Sequence, residues 1–298
     1  MDRLDAMAVL LAVTETGSLS AASRRLGTPL ATVSRKISDL EAHLRTQLLI
    51  RSSRHVSLTD AGRAYVEASK AILEQVDEAE RAAAGEYTTP RGDLTMTAPV
   101  VFGRLHVLPV VIEFLKIYPE INLRLNLSDR QVNLVEDHID LALRIGNLQD
   151  SNLVATKVGS IRRAAYASPS YLAQRGIPER PEDLDGHECI TFEGLNSPRT
   201  WTFTDGKKEV GIPIHSRLSV STAEAAIDAA VAGLGVTRLL SYQATRAIAA
   251  GELQIVLEAF EPAPWPVSLI YVAQGLVPLK LRAFIDFAVP RLRGRIPQ

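Results

Sequence analysis

Residues 18–41, SLSAASRRLGTPLATVSRKISDLE, gather groups that bind polyanions: Ser18, Arg24, Thr28, Thr32, Ser34, Arg35, Lys36 and Ser38. Cationic side chains neutralise phosphates, and an arginine also pairs bidentately with O6 and N7 of a guanine. Val33, Ile37, Leu40 and Leu44 recur at helical spacing, so they share one face of a helix that turns ~100° per residue. Ala31, Ser34, Arg35 and Ser38 fall on the opposite face, with Leu30 near the helix start. A second cationic group, Arg51, Ser53 and Arg54, follows in LLIRSSRHVSLT.

The elements that must position these residues are short and sharply broken. Leu4, Met7, Ala8 and Leu11 predict a first helix ended by Thr16-Gly17. Ser18 or Ser20 caps a second helix to about Leu26, closed by Gly27 in the left-handed conformation. Thr28 as cap and Pro29 at the first helical position start the third. Two short helices around a glycine turn make a helix-turn-helix. They equally fit a helical hairpin with a solvated basic face. The next segment tips the balance, because LLIRSSRHVSLT reads as two β-prone pieces around a Ser-Ser turn, a wing that sets Arg51 and Arg54 near phosphates.

Charge supports that reading. The 298 residues carry a net charge of −1, which excludes a global attraction to nucleic acid or membrane. Seven Lys or Arg face only two Asp or Glu between residues 17 and 58, whereas three face seven between 59 and 87. The positive charge is local. Thr59 or Asp60 then caps a long helix to about Glu86. Within it Ala61, Tyr65, Ala68, Ile72, Val76, Ala79 and Ala83 form a narrow seam suited to helix–helix pairing.

Beyond the linker TTPRG the pattern changes. LTMTA, INLRLNL, IDLALRI, RRAAYAS, residues 217–222, VTRLL and PVSLIYVA read as strands, with helices at 102–117, 222–235 and up to about 292. Alternating elements of this kind predict an α/β domain with largely parallel sheets. Ligands in such folds sit beyond the carboxyl ends of strands, near helix N-termini. Thr97, Val100, Val101, Phe102, Ser128, Arg144, Phe192, Ser221 and Thr222 are therefore the candidates to line one cleft. They favour a small organic ligand with an acidic or carbonyl group and an apolar body. The chain is expected to cross between two lobes near Gly146 and again near Pro264.

In order along the chain, these residues resemble the LysR-type transcriptional regulators. The match runs through Ser18, Ala21, Ala22, Ser34, Arg35, Leu48, Arg51, Arg54, Leu58, Thr59, Ala61 and Gly62, and continues through APVVFG, DLALRIG and AGLGV. The resemblance implies a winged helix-turn-helix over residues 1–60 and a long linker and dimerisation helix over 61–87. Residues 88–298 would form a periplasmic-binding-protein-like effector domain of two α/β lobes, 92–161 plus 267–293, and 162–266. It implies a homodimer or homotetramer on an inverted-repeat operator in double-stranded DNA, a small effector, contact with RNA polymerase, and no cofactor. Two departures stand out. Leu30 replaces a polar base-reading residue and can only touch a thymine methyl. Val100-Val101 stands where relatives carry Val-Ser, which removes a hydroxyl from the ligand site.

Other chemistry fits less well. The six histidines are scattered, and Glu136, Asp137, His138 and Asp140 point in different directions from a turn and a strand. Arg238 occupies the last glycine position of a dinucleotide fingerprint in AGLGVTR. Cys189, the only cysteine, lies in the apolar run ECITF as a core residue. A solute-binding protein shares the α/β architecture, but the opening residues lack a secretory pattern, and a cytoplasmic location is expected. An effector-independent DNA-binding dimer remains the third reading.

Overall fold

The computed structural model describes residues 2–51, 56–83, 89–130, 132–148, 153–192, 200–206, 208–272 and 277–296. It divides into two compact units, Met1–Thr89 and Pro90–Gln298.

In the first unit, α1 (Arg3–Thr16) is capped by Asp2, whose carboxylate accepts from the amides of Leu4 and Asp5. It buries Ala6, Val9, Leu10, Ala12 and Val13, and leaves Leu4 exposed. The stripe expected at Leu4, Met7, Ala8 and Leu11 is out of phase. The helix is apolar almost all round, so spacing alone does not choose its inner face. Ser18 caps α2 (Leu19–Leu26), and Gly27 ends it at φ 61°. Helix α3 (Leu30–Leu44) buries Val33, Ile37 and Leu40. Pro29, not Thr28, is its N-cap residue; the Thr28 hydroxyl instead donates to the carbonyl of Leu26. A proline at that position leaves the cap without a side-chain acceptor.

Strands β1 (Leu49–Arg51) and β2 (Val56–Leu58) pair antiparallel. Glu41 ties them to α3 by accepting from the amides of Leu48 and Leu49 at 2.9 and 3.0 Å. The Thr59 hydroxyl accepts from the Gly62 amide at 2.9 Å and starts α4 (Asp60–Ala83). Gly62 is required there, because a Cβ would lie 2.0 Å from the Leu48 carbonyl oxygen.

The second unit holds two five-stranded sheets. Its elements are β3 (Gly92–Ala98), α5 (Val100–Phe102), a π-helical turn (Gly103–Val107), α6 (Leu108–Ile117), β4 (Ile121–Leu127), β5 (Leu141–Ile145), β6 (Leu153–Ile161) and β7 (Arg163–Ala167). Then come α7 (Pro169–Arg175), β8 (Cys189–Phe192), the hairpin of β9 (Thr200–Asp205) and β10 (Lys208–Pro213), β11 (Ser216–Val220) and α8 (Ala223–Val231). The chain ends with β12 (Val236–Leu240), α9 (Ser241–Ala249), β13 (Gln254–Val256), β14 (Trp265–Val272) and α10 (Leu279–Arg295).

Lobe one has strand order β4-β3-β5-β14-β6, and lobe two β11-β8-β12-β7-β13. In each sheet a single strand runs against the rest: β14 in the first, β7 in the second. Both are the strands laid down directly after a crossing. The first crossing is at Arg162, between β6 and β7, not near Gly146. Gly146, at φ 116°, only ends β5, and the chain then returns to the same sheet as β6. The second crossing precedes Trp265 and includes Pro264. Arg162 bonds Glu258 at 2.6 Å and Glu261 at 2.8 Å, so one guanidinium joins both crossings. One hydrophobic core runs through both lobes, from Leu94 and Phe114 in the first to Ile190 and Ala226 in the second.

Candidate DNA interface and effector cleft

The outward face of α3 carries Ala31, Arg35 and Ser38 in solvent, with Leu30 46% exposed at its start. Ser34 and Thr32 are half-buried beside them, and Arg24 is exposed on α2. Arg35 therefore stands opposite the buried Val33–Ile37–Leu40 row. Lys36 does not join this face: its Nζ lies 2.5 Å from the Asp5 carboxylate of α1. One residue of helical turn swings its side chain toward the neighbouring helix. Ser18 and Thr28 are likewise engaged locally, the first as the α2 cap and the second on the Leu26 carbonyl. The backbone of Arg51 closes β1, while its side chain, Ser53 and Arg54 lie outside the described residues.

Helix α4 divides the expected seam. Val66 and Ser69 are buried, and Tyr65 packs partly against the core of its own unit. Ala68 and Ala79 are exposed, Ile72 is 39% exposed, and Val76 is half-buried. Tyr65 is thus an anchor of α4 on its own unit.

In the second unit, the carboxyl ends of β3, β4 and β5 meet. Thr97 pairs in register with Ala142, so Thr97 and Arg144 project from the same face of adjacent strands. Ser268 of β14 lies directly opposite Arg144 and is buried. The hydroxyl of Thr97, which is 1% exposed, and Nη2 of Arg144 are buried without a hydrogen-bond partner. The Asp129 carboxylate accepts from the Val100 amide at 3.2 Å, at the start of the helix after β3. Burial raises the Asp129 pKa, Glu224 of lobe two adds to the rise, and the Val100 amide and Arg144 oppose it. Burial lowers the pKa of Arg144. It raises that of Tyr242, whose surroundings include Asp129 and Glu224.

Not every residue expected to line the cleft lies at this cluster. Phe102 is 0% exposed and packs edge-on against Tyr242 at 5.2 Å and beside His106 at 4.6 Å. Val101 and Phe192 are also closed into the core. A strand end next to a second lobe buries its apolar side chains in the joint, which strand position alone does not reveal. Val100 and Ser221 are exposed, Ser128 is half-buried, and Thr222 caps α8 by accepting from the Ala225 amide at 3.2 Å. Sequence reasoning missed Asp129, Ser268, Glu224 and Tyr242. Asp129 had a local signal, as the first charge after the alternating strand INLRLNL. Among the described residues, no group of three His, Cys, Asp or Glu is placed to hold a metal ion.

A winged helix-turn-helix followed by a two-lobed α/β unit with polar side chains gathered at its strand ends defines a ligand-responsive DNA-binding protein. The bacterial regulatory helix-turn-helix domain of the lysR family matches residues 4–63, and the LysR substrate binding domain matches residues 88–293. The chain belongs to the LysR family of transcriptional regulators. An HTH-type transcriptional regulator of Xanthomonas campestris is 36% identical over 95% of this chain and 84% of its own. The LysR-type regulator CrgA of Neisseria meningitidis superposes with a TM-score of 0.61 at 32% identity, covering 97% of this chain and 98% of its own. The virulence activator AphB of Vibrio cholerae gives 0.61 at 27% identity, over 97% and 99%. The protein is accordingly a DNA-binding transcriptional regulator with an effector-binding domain. No single helix among the described residues is long and apolar enough to cross a membrane.

Proposed function

We propose that this regulator reads an inverted-repeat operator with α3, as a homodimer or homotetramer paired through α4, under control of a small effector held at Thr97, Val100, Asp129 and Arg144. The observation that carries the DNA reading is the exposed Arg35, opposite three fully buried residues of the same helix. Ser34, Ala31, Thr32, Ser38 and Leu30 line the same surface, and Arg51, Ser53, Arg54 and Arg24 are assigned to phosphates. For assembly the supporting feature is the exposed Ala68, Ile72 and Ala79 of α4, with Val76 between them. Binding of effector to the cleft favours one arrangement of the lobes, and DNA affinity follows that equilibrium. Action on promoters places the protein in the cytoplasm, in contact with RNA polymerase, and without an enzymatic step of its own.

The test is a gel-shift titration on duplex DNA from upstream of the protein's own gene. Arg35→Ala should cost about 1–3 kcal/mol and flatten preference at one base position. An unchanged, equally selective titration with the fold intact would remove Arg35 from the interface. Ile72→Asp places a charge in the pairing seam and should convert the oligomer to monomer in analytical ultracentrifugation. A dimer of undiminished stability would assign α4 another role.

A further inference from the structure

Building on the reading that the arrangement of the lobes governs DNA affinity, we propose that Arg162 is the pivot of the effector domain. It is fastened to lobe two, and lobe one swings about it while Trp265 slides across the Arg163 guanidinium. The first crossing is one residue long. Strand β6 ends at Ile161 and β7 begins at Arg163, so Arg162 alone lies between the two sheets there. Ile161 is paired with Trp265 in lobe one, and Arg163 with Leu240 in lobe two. Those rungs hold the neighbours on both sides, so a turn of the lobes falls on the few backbone dihedrals around Arg162. The second crossing, 257–264, is longer but carries Pro262 and Pro264, whose rings fix φ.

Contacts tie Arg162 to lobe two. Its carbonyl accepts from the Ser241 amide at 2.9 Å. Its Nε and Nη2 each donate to Glu261 at 2.8 Å, a paired geometry that holds a guanidinium in one orientation. Nη2 also donates to Glu258 at 2.6 Å. Both acids follow β13, and Phe260 between them packs on the core of lobe two. Glu261 is only 12% exposed, so salt screens its pair less than an open surface pair. Trp265, in contrast, is held by lobe one. Its ring lies against Gly146, where a Cβ would sit 3.7 Å away, and the Gly146 amide donates to the Pro266 carbonyl at 2.9 Å. Arg163 stacks on this indole across the boundary, its Cζ 4.1 Å from the ring centroid. The Arg163 Nε is buried without a hydrogen-bond partner, so stacking, which tolerates lateral displacement, takes the place of a directional bond there. One arginine is tied, and its neighbour is placed to slide.

The experiment is a pulsed electron–electron distance measurement on the full chain, spin-labelled at Glu136→Cys in lobe one and Gln174→Cys in lobe two. Dilution with unlabelled protein suppresses distances between protomers. Both positions are exposed, and the native Cys189 is buried. The parent sets the reference width of the lobe-to-lobe distribution. Arg162→Gln and Glu261→Gln should each broaden it by about twofold or more, and Glu258→Gln by less. The charge swap Arg162→Glu with Glu261→Arg should narrow it again, which a mere loss of packing would not do. Arg163→Met keeps an apolar cover on Trp265 and should leave the width near that of the parent. Operator affinity in a gel shift should change by about fivefold or more in Arg162→Gln. Broadening with unchanged operator affinity keeps the pivot and removes the coupling between lobes and DNA. Distributions as narrow as the parent's in Arg162→Gln and Glu261→Gln alike overturn the proposal, and so does equal broadening by Arg163→Met.

Discussion

Lobe one and lobe two share one sheet pattern, three parallel strands, a single reversed strand and an edge strand, yet their strand ends carry opposite chemistry. At or just beyond the carboxyl ends of β3, β4 and β5, lobe one carries Thr97, Asp129 and Arg144; the matching strands β8, β11 and β12 of lobe two carry Phe192, Thr222 and Leu240. Helix starts are secured differently too. Thr222 caps α8 from its own N-cap position, whereas Val100 is held by Asp129, 29 residues away in sequence. The sheet topology is a property of the backbone, and the residues at and just beyond the strand ends set its local chemistry.

The largest effect that tests this division is Phe102→Ala. If Phe102 is a joint between lobes, truncation empties a fully buried site and costs about 3–5 kcal/mol in urea unfolding. A cost below about 1 kcal/mol would return Phe102 to an open cleft wall. Next come two glycines. A Cβ on Gly235 of lobe two would lie 2.2 Å from the Glu188 carbonyl oxygen, a backbone atom that pairs in the sheet. On Gly103 of lobe one it would meet the Leu127 side chain at 2.3 Å, which can turn away. Gly235→Ala should therefore destabilise by about 3 kcal/mol and Gly103→Ala by clearly less. The reverse order would mean that lobe one, not lobe two, is the tightly built half.

The smallest effects distinguish the two caps. Thr222→Ala should cost about 1 kcal/mol at any pH, since a hydroxyl does not titrate. Asp129→Asn keeps an oxygen acceptor for Val100 and removes a carboxylate whose pKa is raised in the folded protein. The native state then binds the proton more readily than the unfolded chain, so the ionised group opposes folding above its ordinary titration range. The substitution should slightly stabilise the ligand-free protein near neutral pH, and the gain should vanish on acidification through that range. A loss of stability at neutral pH would show that the ionised carboxylate is a structural cap.

Much of the first unit was legible because its signals are local. Ser18, Gly27 and the Val33–Ile37–Leu40 row each act within a few residues, and the helices start and stop where those residues dictate. Lys36 was misread because Asp5, 31 positions earlier, decides its direction. In the second unit INLRLNL and VTRLL form strands as their patterns predict. Strands β6, β9, β10 and β13 and helices α7 and α9 were missed, for their residues are mixed in polarity and defined by what packs on them. The polar cluster at the strand ends was half legible. Thr97, Val100 and Arg144 follow from strand ends, while Asp129 and Ser268 acquire their roles only from the pairing of segments far apart in sequence.

The position of β14 sets an order of assembly on the ribosome. Strand β6, complete at Ile161, has β14 as its only strand partner among the described residues, and β14 begins at Trp265. Lobe two has no such wait, because its edge strand β13 pairs with β7, made earlier. Although it is synthesised second, lobe two can close its sheet first, leaving lobe one with an unfilled slot beside β5 until the last strand emerges. An open edge of that kind is a template for pairing with other chains. Nascent chains stalled before residue 265 should be the aggregation-prone ones, and a C-terminal truncation should damage the part of the molecule that lies nearest its DNA-binding end in sequence.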